Sequence, residues 1–152
     1  MDKQKTITLV ELIIIFFIII MLLATIFVTY LNFKKNYNIK KTRENHLTII
    51  SIIDNEKGRC LEGSNKWVWN GKVTITCGSI FVDNQIDKFF NDIIKLKNPY
   101  DKRNAVSQVS SKPNTLRPGI NYIVIDKDDS SLKVSTLIEY DGKLLETVKH
   151  FK

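Results

Sequence analysis

The chain has 152 residues and a mass of 17.6 kDa, which allows one domain of ordinary size plus a membrane segment and excludes two full domains. Hydrophobic residues make up 43% and charged residues 26%, values close to globular averages, but the apolar residues are concentrated near the N-terminus. The net charge of +7 lies outside that apolar segment. A basic soluble part can attract nucleic acid, anionic lipid or other acidic polymers, but a merely solvated basic surface is the stronger expectation.

An apolar run begins at Leu12 and continues to Val28, with Thr25 as its one polar interruption. As a helix this run would be about 25 Å long, which is just enough to span or anchor in a bilayer. No small-residue cleavage pattern of the secretory type follows it, so we expect the segment to be retained in the mature protein.

The same helix is predicted to continue beyond the membrane segment. Neither glycine nor proline occurs before Gly58, and apolar side chains recur at helical spacing while basic ones populate other faces. The sequence therefore predicts one long helix from about Thr8 to Asp54, whose second half, residues 31–54, is amphipathic.

Strand signals follow the helix. The stretch KWVWNGKVTITC has strand-forming residues on both sides of Asn70-Gly71, the pair best suited to a tight two-residue hairpin turn. A short helix is predicted next, with Asp83 or Asn84 as its N-cap and Asn98-Pro99 as its end. The chain from Tyr100 to Pro118 is polar and reads as a long loop.

Three further runs alternate like strands: GINYIVID, SLKVSTLIEY and KLLETVKHF. They are separated by turn-forming residues at 128–130 and by Asp141-Gly142, a strong hairpin signal. An antiparallel sheet laid against the amphipathic half of the long helix would bury both apolar faces at once. The predicted fold is therefore α+β, with an antiparallel sheet of about three to five strands and one extra short helix.

The two cysteines, Cys60 and Cys77, suggest a disulfide in an oxidising compartment, since an even count beyond a membrane anchor favours pairing. Two buried, unlinked thiols are the alternative. Neither His46 nor His150 stands at metal-ligand spacing from a cysteine, so no metal site and no cofactor is predicted. No arrangement of nucleophile, base and orienting residue is visible either, and we do not expect an enzyme.

Trp67 and Trp69 share one face of their predicted strand, close to two lysines. Exposed tryptophans of this kind can stack on nucleotide bases, which would make nucleic acid a partner. The alternative, packing of the rings on the sheet or the helix, is the stronger expectation.

The N-terminal stretch Ile7, Thr8, Leu9, Val10, Glu11 and Leu12, followed by an unbroken apolar helix, resembles the N-terminus of type IV pilins and of the pseudopilins of type II secretion. The resemblance implies a pilin-like fold, with a leader at 1–6, a transmembrane and filament-core segment at 7–30 and a periplasmic or extracellular domain at 31–152. It also implies that a prepilin peptidase cuts between Thr6 and Ile7 and that the new amine of Ile7 is methylated.

In that family the glutamate matching Glu11 pairs with the new N-terminus of a neighbouring subunit during assembly. The resemblance thus implies an inner-membrane precursor with a cytoplasmic N-terminus, membrane lipid and an assembly platform as partners, and a homo-oligomeric or mixed filament at the cell surface or in the periplasm. The family almost always has glycine before the cleavage point, where this chain has Thr6.

Three alternatives are also consistent with the sequence. Thr8 and Glu11 also form a T-x-x-E capping box, which by itself accounts for the glutamate in a monomeric single-pass protein with a small periplasmic binding domain. A type II secretion pseudopilin shares the motif. A basic domain on the cytoplasmic side of the membrane that binds nucleic acid is the third, because lysines and arginine at 34–43 outnumber Lys3 and Lys5 and would place the C-terminal part inside.

Overall fold

The computed structural model describes residues 8–69, 72–77, 85–139 and 142–151. It divides the chain into two compact units, one up to Tyr37 and one from Asn38 onward. The first long helix, α1, spans Leu9–Leu61 and so contributes residues to both units. Its start agrees with the predicted one, and it runs seven residues beyond the predicted end at Asp54.

Within its described part, the first unit is the N-terminal portion of α1, which is apolar as far as Val28 and polar in part from there to Tyr37. Every large hydrophobic side chain from Leu9 to Val28 is exposed, with exposed fractions between 46% and 77%. Two hydroxyls in this segment bond back to the helix itself: Thr25 Oγ1 donates to Leu22 O and Thr29 Oγ1 donates to Thr25 O, both at 2.8 Å. The segment is long and apolar enough to cross a membrane, and its polar side chains satisfy their hydrogen bonds within the helix.

In the second unit, the hairpin predicted around Asn70-Gly71 is confirmed by the pairing of its two strands. Strand β1, Lys66–Trp69, pairs antiparallel with β2, Lys72–Thr76, and the register shifts between Trp67 and Val68. The turn residues themselves lie outside the described part. A buried carboxylate on α1 ties this hairpin to the helix, because Glu56 Oε2 accepts a bond from Val68 N at 3.2 Å.

The predicted short helix is present but differs from the expectation. Helix α2, Gln85–Lys88, leads directly into a π-helical turn, Phe89–Ile93, which ends several residues before Asn98-Pro99. The expected N-cap residues lie outside the described part. The side chain of Asn91, within the π-helical turn, bonds to both backbone groups of Val106. Its Nδ2 donates to Val106 O at 2.9 Å, and its Oδ1 accepts from Val106 N at 3.3 Å.

The main sheet has four strands in the order β3-β4-β5-β6. Strands β4, Asn121–Asp126, β5, Ser131–Leu137, and β6, Leu144–His150, pair antiparallel and confirm the three strands predicted from the last third of the chain. Strand β3, Val106–Val109, lies in the predicted loop and pairs parallel with β4. The expectation of an antiparallel sheet was therefore wrong: the sheet is mixed, within an α+β layout.

The core of the second unit lies between the C-terminal part of α1, the main sheet, the hairpin and the α2 region. Trp67 and Phe89 meet edge to face with ring centroids 5.3 Å apart, and Phe89 meets Phe90 in the same way at 5.2 Å. Such aromatic pairs add to the free energy gained from burying their area. The buried hydrophobic side chains of this cluster are Ile49, Ile52, Ile53, Trp67, Ile75, Ile86, Phe89, Phe90, Val106, Ile123, Leu132 and Val134.

Candidate functional site

The carboxylate at the head of the apolar helix is held by the helix's own first turn. Thr8 N donates to Glu11 Oε2 at 2.8 Å, Thr8 Oγ1 donates to the same oxygen at 3.0 Å, and Glu11 N donates to Thr8 Oγ1 at 3.3 Å. These bonds form the reciprocal capping box that the T-x-x-E spacing predicts. Glu11 remains exposed, so a cationic partner has access to it. The predicted cleavage and methylation residues, Thr6 and Ile7, lie outside the described residues.

The two cysteines are joined. A disulfide links Cys60, in the last turn of α1, to Cys77, which directly follows β2, with 5.9 Å between the two Cα atoms. Both residues are partly buried against the core. The bond fixes the far end of the hairpin to the helix, while Glu56 fixes its first strand.

A buried histidine connects α1 to the main sheet through a chain of neutral groups. Thr136 Oγ1 donates its single proton to Asn121 Oδ1, and Asn121 Nδ2 donates to Ala105 O at 2.9 Å. Thr136 must therefore accept from His46 Nδ1–H, at 2.8 Å, which leaves Nε2 to accept from the Thr147 hydroxyl at 3.0 Å. Every hydrogen bond in this series is made when His46 is neutral. The series was not predicted from the sequence, because the partners of His46 lie 90 and 101 residues away.

Burial lowers the pKa of His46 below the ordinary histidine value of about 6.5. The unfolded chain then takes up a proton before the folded one as the pH falls, so the free energy of unfolding should drop from pH 6.5 downward, by at most about 1.4 kcal/mol per pH unit. Above pH 6.5, His46 should not change the free energy of unfolding with pH. Unfolding of the full chain in detergent, followed by tryptophan fluorescence at pH 7.5 and pH 5.5, measures the difference.

His46→Gln is expected to abolish the change between these two pH values, whereas His150→Gln is the matched control and should retain it. Glu146 titrates in a lower range, because a hydrogen bond from Lys112 at 2.7 Å lowers the pKa of that carboxyl. A drop of equal size in wild type and in His46→Gln would show that another group is responsible.

A second buried polar side chain, Asn98, connects the beginning and the end of the segment from Tyr100 to Pro118, which was predicted to be one long loop. Its Nδ2 donates to Pro118 O at 3.0 Å, its Oδ1 accepts from Tyr100 N at 2.9 Å, and its backbone N donates to Arg103 O at 2.8 Å. Gly119 lies against it with φ of +78°, and a Cβ there would come within 2.8 Å of Asn98 Cγ. The contact therefore requires glycine.

An open groove of about 500 Å³ lies beside these loops, lined by Arg103, Asn104, Val106, Ser107 and Ile120. Its lining combines a guanidinium, an amide and a hydroxyl with the apolar side chains of Val106 and Ile120. Arg103 is largely exposed and pairs with Asp101 at 3.5 Å. The groove thus presents hydrogen-bond donors of the kind that contact an anion.

Trp67 is fully buried in the core, which confirms packing for this residue and leaves its ring unable to stack on a base. The side chain of Trp69 lies outside the described part of the structure. In the part of the chain that the structure describes, no cluster of histidine, cysteine, aspartate and glutamate is arranged to hold a metal ion.

Comparison with protein-family models, with curated proteins and with solved structures found no match to the chain.

Proposed function

We propose that this chain is a structural subunit of a type IV pilus-like filament, assembled from an inner-membrane precursor by packing of its N-terminal helices. One observation carries the proposal: the first unit exposes an apolar helix surface from Leu12 to Val28, interrupted only by Thr25, with a single carboxylate, Glu11, at its head. A surface of this kind needs lipid or identical helices around it. The resemblance of residues 7–12 to the pilin N-terminus favours the second occupant after extraction from the membrane.

The role proposed for Glu11 follows from the energy of a charge in an apolar surrounding. An ionised carboxylate costs about 2.5 to 3.5 kcal/mol at the centre of a membrane helix and less near its end, and a cationic partner offsets much of that cost. The α-amine freed by cleavage before Ile7 is such a partner. Because Glu11 lies four residues past Ile7, a neighbouring helix displaced by roughly 6 Å along the axis would bring its amine level with the carboxylate.

On this proposal the remaining assignments follow. A prepilin peptidase removes residues 1–6, Ile7 becomes methylated, and an assembly platform in the inner membrane moves the subunit into a filament at the cell surface or in the periplasm. The domain from residue 31 onward faces the periplasm or the exterior. The disulfide between Cys60 and Cys77 supports that side, since such bonds persist in oxidising compartments. A type II secretion pseudopilin would be built and assembled in the same way.

A second candidate function rests on the capping box. Within the chain, Glu11 already receives two hydrogen bonds from Thr8, so the glutamate is accounted for without a neighbour. Thr6 also stands where the pilin motif has glycine. Both facts favour a monomeric single-pass protein that carries its second unit as a small binding domain.

The mass of the N-terminal peptide, measured on protein isolated from cell envelopes, decides between the filament subunit and the monomeric single-pass protein. The filament proposal predicts loss of residues 1–6 and one added methyl group on Ile7. An intact leader would contradict peptidase processing and favour the single-pass protein. Surface fibres should also contain the processed chain, and fibres free of it, in cells whose envelope holds it in abundance, would contradict the proposal.

A further inference from the structure

The second unit carries its positive charge in one region. Six basic residues and one acidic residue, Asp101, lie between positions 95 and 118, which gives this short region a net charge of +5 out of the chain's +7. The remaining charges of the second unit balance each other. The excess is therefore concentrated on the loops around β3 and does not form an even coat.

Four of these basic residues lie next to Asn98 in the chain or in segments that hydrogen-bond to it. They are named here the basic patch: Lys97, Lys102, Arg103 and Arg117. Lys97 precedes Asn98 in the chain, the backbones of Lys102 and Arg103 both hydrogen-bond to Asn98, and Arg117 precedes Pro118, whose carbonyl accepts from the Asn98 amide. All four side chains are exposed. The patch is thus built by a buried side chain that joins two loops.

The charges of the patch are weakly compensated. Among the described residues, no carboxylate lies at ion-pair distance from Lys97, Lys102 or Arg117, and Lys97 Nζ instead donates to the neutral Asn104 Oδ1 at 3.1 Å. Arg103 has only the loose, exposed pair with Asp101. By contrast, Lys112 in the same region is held by Glu146 at 2.7 Å and is left out of the patch.

The surroundings of the patch favour a phosphate backbone as the ligand. The groove next to Arg103 adds the amide of Asn104 and the hydroxyl of Ser107, and arginine, lysine, asparagine and serine are the side chains that contact phosphate oxygens in nucleic-acid complexes. Exposed cations bind most strongly where the negative charge of the ligand is densest, as it is along duplex DNA. Tyr100 is half-buried with its hydroxyl bonded to Ile138 O, so it offers no platform for stacking single-stranded bases.

We propose that the basic patch binds the phosphodiester backbone of duplex nucleic acid without regard to sequence. The proposal goes beyond filament assembly and does not depend on it, because the patch belongs to the second unit alone. Contacts to about four phosphates would release counterions and make the affinity fall steeply with salt.

The test measures binding of the full chain, in nonionic detergent, to a fluorescent duplex of about 30 base pairs by anisotropy at salt concentrations between about 50 and 200 mM. Wild type is expected to lose about 100-fold in affinity over this range, as a slope of about −0.9 per phosphate contact requires for four contacts. Lys102→Gln/Arg117→Gln should lose only about 10-fold, because two contacts are gone.

The matched control is Lys127→Gln/Lys143→Gln, which removes two exposed lysines elsewhere in the same unit and lowers the net charge equally. It should behave as wild type. Equal loss of salt dependence in the two double variants would overturn the proposal, since binding would then follow net charge and not the patch.

Two further measurements complete the test. Lys102 has φ of +61°, a left-handed conformation that glycine adopts at no steric cost, so Lys102→Gly should melt no lower than wild type while its salt slope falls by about one. Competition with polygalacturonate at equal charge concentration probes the ligand class. Displacement of the duplex as effective as that by unlabelled duplex would overturn the assignment and identify an acidic polysaccharide surface instead.

Discussion

Glu11→Gln is expected to leave the chain inserted in the membrane and to remove it from filaments. The glutamine keeps the size of the side chain and can still accept the hydrogen bond from Thr8 N, so the helix start is preserved. What disappears is the negative charge that would pair with a neighbour's amine. A loss of even 1.4 kcal/mol per contact lowers each association step about ten-fold, and a filament repeats that step at every subunit. Quantifying the chain in sheared surface fibres and in membranes measures the effect.

Thr8→Val is the matched variant, because it removes the Thr8 hydroxyl from the cap and leaves the carboxylate in place. The filament proposal predicts that Thr8→Val still enters fibres while Glu11→Gln does not. The single-pass alternative predicts the opposite order of damage, with Thr8→Val reducing helix stability by about 1 kcal/mol and Glu11→Gln nearly silent. Fibres that accept Glu11→Gln at wild-type levels would rule out the pairing of charges.

Removal of the disulfide should destabilise the second unit by about 3 kcal/mol. Cys60 and Cys77 are 17 residues apart in sequence, and closing a loop of that order restricts the unfolded chain by about this amount. For a unit of this size the loss corresponds to a thermal midpoint lower by roughly 10 °C or more. Cys60→Ser/Cys77→Ser and the reduced wild type should melt at the same temperature, both below the oxidised protein.

Thiol labelling of the same two cysteines tests on which side of the membrane the second unit lies. An impermeant thiol reagent applied to intact cells should label Cys60 and Cys77 only after reduction if the second unit is outside. Labelling without prior reduction, or none after it, would contradict a disulfide-bonded domain in the periplasm. An unchanged melting temperature after complete reduction would contradict the stabilising role of the bond itself.

Much of the fold was predictable, because its signals are local. The hairpin around Asn70-Gly71 and the three last strands follow from alternation and turn residues that lie within a few positions of each other. Strand β3 was missed for the opposite reason: Val106–Val109 is short and half polar, and its register is set by pairing with β4 and by the Asn91 amide. The end of α1 was placed too early because its last turns are held by tertiary contacts of Glu56 and Cys60.

The candidate sites divide in the same way. The capping box of Thr8 and Glu11 is a matter of spacing along one helix, so the sequence was sufficient to predict it. The hydrogen-bond chain through His46 and the joining of two loops by Asn98 depend on residues far apart in sequence. A buried polar side chain finds such partners only once the layers are packed, since leaving it unpaired is costly.

The sequence alone determined that this protein has an apolar helix able to span a membrane, a carboxylate at the head of that helix and an α+β unit with two hairpins. Only the tertiary structure decided that the sheet is mixed, that His46 is buried and neutral, and that four basic residues surround Asn98. The physical reason is the distance along the sequence between the residues that interact. Hydrophobic periodicity, caps and turns are set by neighbours along the chain, whereas strand order, burial of polar groups and clustering of charges are set by contacts between segments that folding brings together.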